Sequence, residues 1–182
     1  DTATLTSYNR NNRFERIWFL ARIDFKKRYY ESRLGVVWAL LNPLLRLAIY
    51  YFVFTLIFQS KIENYALHIF SGLVVWLFFQ EATKKGINTL TAKRYLIENI
   101  RFNWLDLYIS GIISATLALL FNFSMYLLIS FVSGIWINLN ALWFFPLILN
   151  LCLLAFAVNL ILSTIHIFLR DINHLWEMFL LL

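Results

Sequence analysis

VVWALLNPLLRLAIYYFVFTLIF, residues 36–58, holds a single charged side chain, Arg46, in a run long enough to cross a bilayer. A helix rises about 1.5 Å per residue, so about 20 residues span the roughly 30 Å hydrocarbon layer. Mainly apolar runs of similar length recur at 67–89, 107–133 and 142–167, and a further run opens at 172 and is still apolar at 182. Four complete spanning helices and the start of a fifth are therefore expected, which makes the 182 residues read as a fragment of a longer chain. Composition agrees. Apolar residues make up 61% and charged residues 14%, against roughly 45–50% and about 25% in soluble domains. The expected fold is an all-α membrane protein, a single transmembrane domain over 1–182.

The cations set the orientation. Arg10, Arg13, Arg16, Arg22, Lys26, Lys27, Arg28 and Arg33 all precede the first apolar run, within a net charge of +6. The connections 59–66 and 134–141 carry only Lys61 and Glu63, while the opposite ones carry Lys84, Lys85, Lys93, Arg94, Arg101 and Arg170. Positive charge stays on the cytoplasmic side, so the N-terminus and 91–106 are expected inside and 59–66 outside. No groove-reading motif accompanies the charge, so nucleic acid is not an expected partner; membrane lipids are. A cleavable signal peptide is not expected either, because the first apolar run starts late and is too long.

Before the first span, Phe14, Ile17, Trp18, Ala21, Phe25 and Tyr29 recur at steps of three and four, with Arg13, Arg16, Arg22, Lys26 and Lys27 mostly on other faces. Residues 1–35 thus hold a basic amphipathic helix that anchors on headgroups and could also cradle a cytoplasmic partner. Gly35 permits a corner into the span, and Pro43 is expected to kink it. The connection 91–106, TAKRYLIENIRFNWLD, mixes Lys93, Arg94 and Arg101 with Leu96, Ile97 and Ile100. It predicts a short cytoplasmic helix whose apolar residues need headgroups or another protein to cover them.

Catalytic chemistry has no seat in the pattern. The chain lacks a phosphate loop, paired cysteines, an HExxH spacing and a Gly-x-Ser-x-Gly elbow, so no metal or cofactor is expected. His68, His166 and His174 stand apart, and Cys152 is alone. Arg46 is the feature that demands a role, since a charge near mid-bilayer faces the bundle interior, a partner or water. Asn42, Arg46 and Tyr50 repeat at four-residue steps with Trp38 below, forming one polar and aromatic stripe. Glu81 lies at nearly the same depth on the second span, so an Arg46–Glu81 bridge is expected first, with Lys85 competing for Glu81 at i,i+4. Contact of Arg46 with an anionic headgroup is the other reading. Trp38, Tyr65, Trp136 and Trp143 read as interface anchors, and mid-span Tyr50, Tyr51 and Tyr126 would also suit a carbohydrate path.

LGVVWALLNPLL at 34–45 resembles the permease subunit of ABC polysaccharide exporters, the group that handles O-antigen, capsule and teichoic acid. Ser71-Gly72-Leu73 with Trp76, Phe78 and Phe79, then Leu96-Ile97, then Arg170-Asp171-Ile172 with His174, are similar to the same family in order and spacing. Asn103-Trp104 stands where family members commonly show Phe-Pro. The resemblance implies an interface helix followed by six spans, a homodimer in the bacterial cytoplasmic (inner) membrane, and two copies of a separate ATP-binding subunit. It implies a transport subunit and not an enzyme, moving a lipid-linked polysaccharide by ATP hydrolysed on the partner. On that reading Trp38, Asn42, Arg46, Tyr50 and Glu81 line the substrate path. Phe14, Trp18, Lys93, Arg94, Leu96 and Ile97 meet the ATPase. The alternatives are an efflux permease for drugs or small lipids, and a membrane-embedded glycosyl- or phospho-transferase, for which the cytoplasmic loops offer only scattered Glu98, Asp106 and Asp171.

Overall fold

The structure is a computed structural model that describes residues 13–30, 35–58, 64–100, 103–134 and 139–181. Among these the chain is helical throughout: α1 Arg13–Tyr30, α2 Gly35–Phe58, α3 Tyr65–Ile87, α4 Thr89–Ala92, α5 Arg94–Ile100, α6 Trp104–Val132, a 3-10 turn Leu139–Trp143, α7 Phe144–Phe168 and α8 Ile172–Leu181. It is an all-α membrane protein. Three stretches, Tyr65–Ile87, Trp104–Val132 and Ala141–Phe168, are long and apolar enough to cross a bilayer, and a shorter apolar piece, Leu41–Val53, lies within α2. That makes it a multi-pass protein. α2 continues as one helix through Pro43.

α3 is the hub, packing against α2, α6, α7 and α8. Its buried residues, among them Leu67, Phe70, Leu73, Val74, Phe78 and Ala82, recur every three to four positions, and those from Phe70 on join Ala115 and Leu119 of α6 and Ala155 of α7 in one core. Small residues on α6 and α7 allow that close approach, which matters in lipid because packing, more than water exclusion, drives helix association there. α7 is the reverse case. Only 17% of its apolar window is buried, so Leu147, Leu149, Leu153, Leu154 and Ile161 face outward.

Within 91–106 a short helix, α5, covers Arg94–Ile100. Asn88 and Lys93 leave helical geometry, α4 and α5 lie on either side of Lys93, and Trp104–Asp106 already belong to α6. Asn88 suits the first break as a weak helix former whose amide is turned to Asn173 of α8. Hydroxyls join the carbonyls here: Thr89 Oγ1 donates to the Lys85 carbonyl at 2.9 Å, and Thr91 Oγ1 donates at 3.1 Å to the Asn88 carbonyl, which also accepts from the Ala92 amide at 2.8 Å. Asn103 starts α6, its side chain accepting from the Leu105 amide at 3.2 Å, which satisfies one of the orphan donors of a helix start. At the far end Gly134, at φ +72°, closes α6 as the left-handed residue a helix terminus favours.

Candidate functional site

Two polar regions stand out, and both lie toward the end of the bundle where α3 finishes and α6 begins. The first binds α1 to the rest. Ile17 and Ala21, one turn apart, are buried against α6. Arg13 donates from Nε to Asp106 Oδ1 at 2.7 Å, with Nη2 at 2.6 Å from the same oxygen. Asp106 is fully buried in the first turn of α6 while Arg13 stays more than half exposed. The hydrogen bond, and then the charge of Asp106, raise the Arg13 guanidinium above its ordinary value. Eleven residues along α1, Asp24 meets Lys93 of the α4–α5 turn at 2.5 Å. α1 is therefore ion-paired at its start and in its second half to more C-terminal parts of the chain.

This arrangement divides the residues assigned to an ATPase contact. Phe14, 80% exposed, and Trp18, 48% exposed, stand free of the bundle on α1. Lys93 is half-buried on Asp24, Arg94 is exposed and paired with Glu98 at 2.6 Å, and Ile97 is half-buried. The Leu96 side chain lies outside the described residues. The link between the two groups is the Asp24–Lys93 pair.

The second region joins α2, α3 and α8. Arg46 Nη1 donates to Gln80 Oε1 at 3.3 Å, and Gln80 Nε2 donates to the Leu180 carbonyl at 2.6 Å. The expected Arg46–Glu81 bridge is not formed. Glu81 pairs instead with Lys85 at 3.1 Å, one turn along its own helix. Depth alone places Arg46 within one residue of its partner, but adjacent helix positions point about 100° apart, and Gln80 is the one turned toward α2. From Gln80 a polar seam runs along α3. Trp176 Nε1 donates to Thr83 Oγ1 at 3.0 Å, Lys84 lies 3.6 Å from Glu177, and Asn88 Nδ2 donates to Asn173 Oδ1 at 3.3 Å. Sequence reasoning weighed Glu81 and Lys85 on α3 and missed the partner helix α8. The signal was the matching three- and four-residue spacing of Asn173, Trp176 and Glu177 on α8.

Of the other stripe residues, Asn42 is exposed, Tyr50 is 40% exposed, and the Trp38 side chain lies outside the described residues. Tyr51 is likewise exposed, whereas Tyr126 is spent on packing, 5.9 Å from Phe123 and 6.2 Å from Phe70 between ring centres. Among the described residues no three His, Cys, Asp or Glu side chains group as metal ligands.

The seam makes a testable difference. Gln80→Leu should lower stability by about 1–3 kcal/mol, because it strips partners from both the Arg46 guanidinium and the Leu180 carbonyl. The double reversal Arg46→Glu with Glu81→Arg should recover nothing, whereas a direct bridge would be restored by it. Thermal unfolding in detergent decides between them.

No protein-family model matches the chain. Three curated proteins do. Two O-antigen export system permease proteins RfbA of Klebsiella pneumoniae are 30% and 29% identical over 167 residues, 91% of this chain. One of the same name from Myxococcus xanthus is 26% identical over 156 residues, 86% of the chain. The chain spans 64% of the length of the Klebsiella proteins and 60% of the Myxococcus one, just under two thirds. Over about nine-tenths of its own length, the chain is a sequence relative of O-antigen export permeases.

Proposed function

We propose that this chain is the permease subunit of an ATP-driven exporter that moves a lipid-linked polysaccharide, of O-antigen, capsule or teichoic-acid type, across the bacterial cytoplasmic membrane. The observation that carries the reading is the similarity to export permeases along 91% of the chain. On this reading energy enters by contact with a separate ATP-binding subunit, two copies serving a permease homodimer. Phe14 and Trp18 support such a contact, being large apolar side chains held clear of the bundle on a basic helix, the residue types that anchor interfaces. On this reading the stripe of Asn42, Arg46 and Tyr50, with Trp38 on the same helix and Glu81 on α3, lies along the substrate path.

In the host, tagged protein should co-purify with an ATP-binding subunit, and a deletion strain should lose surface polysaccharide while retaining the lipid-linked glycan inside. Phe14→Ser with Trp18→Ser should weaken recovery of the subunit by roughly tenfold or more. Unchanged surface polysaccharide in the deletion strain would overturn the reading.

Orientation rests on the cation asymmetry, with the N-terminus in the cytoplasm. In a Cys152→Ala background, a cysteine at Lys61 should react with an impermeant thiol reagent added to intact cells, and one at exposed Thr91 should react only after the membrane is opened. The opposite pattern reverses the topology.

A further inference from the structure

A cavity of about 590 Å³ opens between α1, the end of α3, α4 and α6, within the roughly 300–1,000 Å³ typical of small-ligand sites. Lys27 of α1, Lys84 and Lys85 of α3, and Lys93 of the α4–α5 turn converge on it, with Asp24 as the one acid in its wall among the described residues. We propose that this cavity binds the phosphodiester headgroup of an anionic membrane phospholipid.

The charge balance favours an anion. Lys93 has Asp24, Lys84 has Glu177 and Lys85 has Glu81 as carboxylate neighbours. Lys27 has no carboxylate partner among the described residues, so the cavity keeps a surplus positive charge. An ammonium group carries three donors, so one carboxylate leaves it able to bind further acceptors, such as the two free oxygens of a phosphodiester. Depth favours a lipid over a soluble anion. Lys84 and Lys85 lie in the last turn of a membrane-length helix, and the basic amphipathic α1 lies beside them. This is the level of the headgroups, where basic pockets between spanning helices take anionic lipids. The wall at Gly111 is bare: a Cβ added there meets nothing within 4 Å. The spanning helix thus leaves room beside the lysines for a glycerol backbone and the chains below it. Such a site requires a bilayer but no transported glycan, so it stands or falls separately from the exporter reading.

Full-length protein, purified in neutral detergent and stripped of lipid, is titrated with phosphatidylglycerol and, separately, phosphatidylcholine, with bound lipid counted by native mass spectrometry. Phosphatidylglycerol should be retained and phosphatidylcholine not. Lys27→Gln should weaken retention roughly fivefold, and Gly111→Leu should weaken it at least as much by filling the space with no change of charge. Asp24→Asn should strengthen it by removing the acid that competes for Lys93. Arg22→Gln, an exposed cation on α1 outside the cavity, should leave it unchanged. Equal loss in Arg22→Gln and Lys27→Gln, or equal retention of the two lipids, overturns the proposal. Displacement of phosphatidylglycerol by millimolar inorganic phosphate also overturns it, in favour of a free-anion site.

Discussion

Gly86→Ala is expected to lower the stability of the bundle by about 1–3 kcal/mol, the range for forcing extra volume into a packed core. A Cβ built on Gly86 falls 1.8 Å from Oδ1 and 2.0 Å from Cγ of Asn159. α3 and α7 therefore meet at this point with the Asn159 amide lying directly on bare backbone. Rotation of the amide offers little relief, because Asn159 is 2% exposed and both its Oδ1 and its Cγ are in the way. Either the amide is driven into its neighbours or the two helices separate, and separation opens the core around Phe78, Ala82 and Ala155. The partner substitution tests the cause. Asn159 Oδ1 accepts no hydrogen bond among the described residues, so Asn159→Ala forfeits packing but little hydrogen bonding. In the double variant Gly86→Ala with Asn159→Ala the added methyl occupies space the amide has vacated, and the pair should show a favourable coupling of about 0.5–3 kcal/mol. Unfolding of Gly86→Ala at the wild-type temperature would show that the close approach does not exist. Gly111→Ala, at a position where the new methyl meets nothing, is the internal control and should unfold like the parent.

Nothing in the sequence announces that contact, and the reason is general to helices in lipid. A spanning helix is apolar around its whole circumference, so the periodicity that tells a soluble helix which face is buried is largely erased. Residues 67–89 can be read as a span from composition, but not that α3 is the hub of the bundle while α7 turns most of its surface outward. Polar residues carry the surviving signal, and only half of it is legible. The depth of Arg46 against the second span comes out within one residue of its partner, and the choice between Gln80 and Glu81 fails because depth says nothing about azimuth. Asp106 reads as a scattered loop acid in the sequence. Its position three residues after Asn103 is nonetheless a helix-start signature in plain view. Which of the cations preceding the first span reaches it is not legible, because the partners lie 93 residues apart.

That long-range pair sets the second large effect: Arg13→Gln should free the N-terminal half of α1 from α6. Asp106 is wholly buried, and its Oδ2 already lacks a hydrogen-bond partner among the described residues. Removing the guanidinium leaves a buried carboxylate with no partner on either oxygen among the described residues. Breaking a buried pair by deleting one member is damaging chiefly for this reason, more than for the attraction lost. The structure can relieve it by letting water in, which means lifting Arg13, Ile17 and Ala21 away from α6. Amide hydrogen exchange along residues 13–24 should then quicken by roughly tenfold or more, while exchange in the α3 core stays as it was. Asp106→Asn should do far less. The neutral amide tolerates burial, and α6 loses only the benefit of an acid in its first turn, about 0.3–1 kcal/mol. The double variant Arg13→Gln with Asp106→Asn should accordingly recover most of the protection that Arg13→Gln loses. Pairing raises the folded-state value of Arg13 above its ordinary one, so its contribution is complete at neutral pH and fades only in strong alkali. In the parent protein the hold of Arg13 on α1 should therefore be equal at mildly acidic and mildly basic pH as far as the arginine is concerned. If the double variant is as loose as Arg13→Gln alone, the attraction itself holds α1 in place, and Asp106 is not the stranded charge that drives its release.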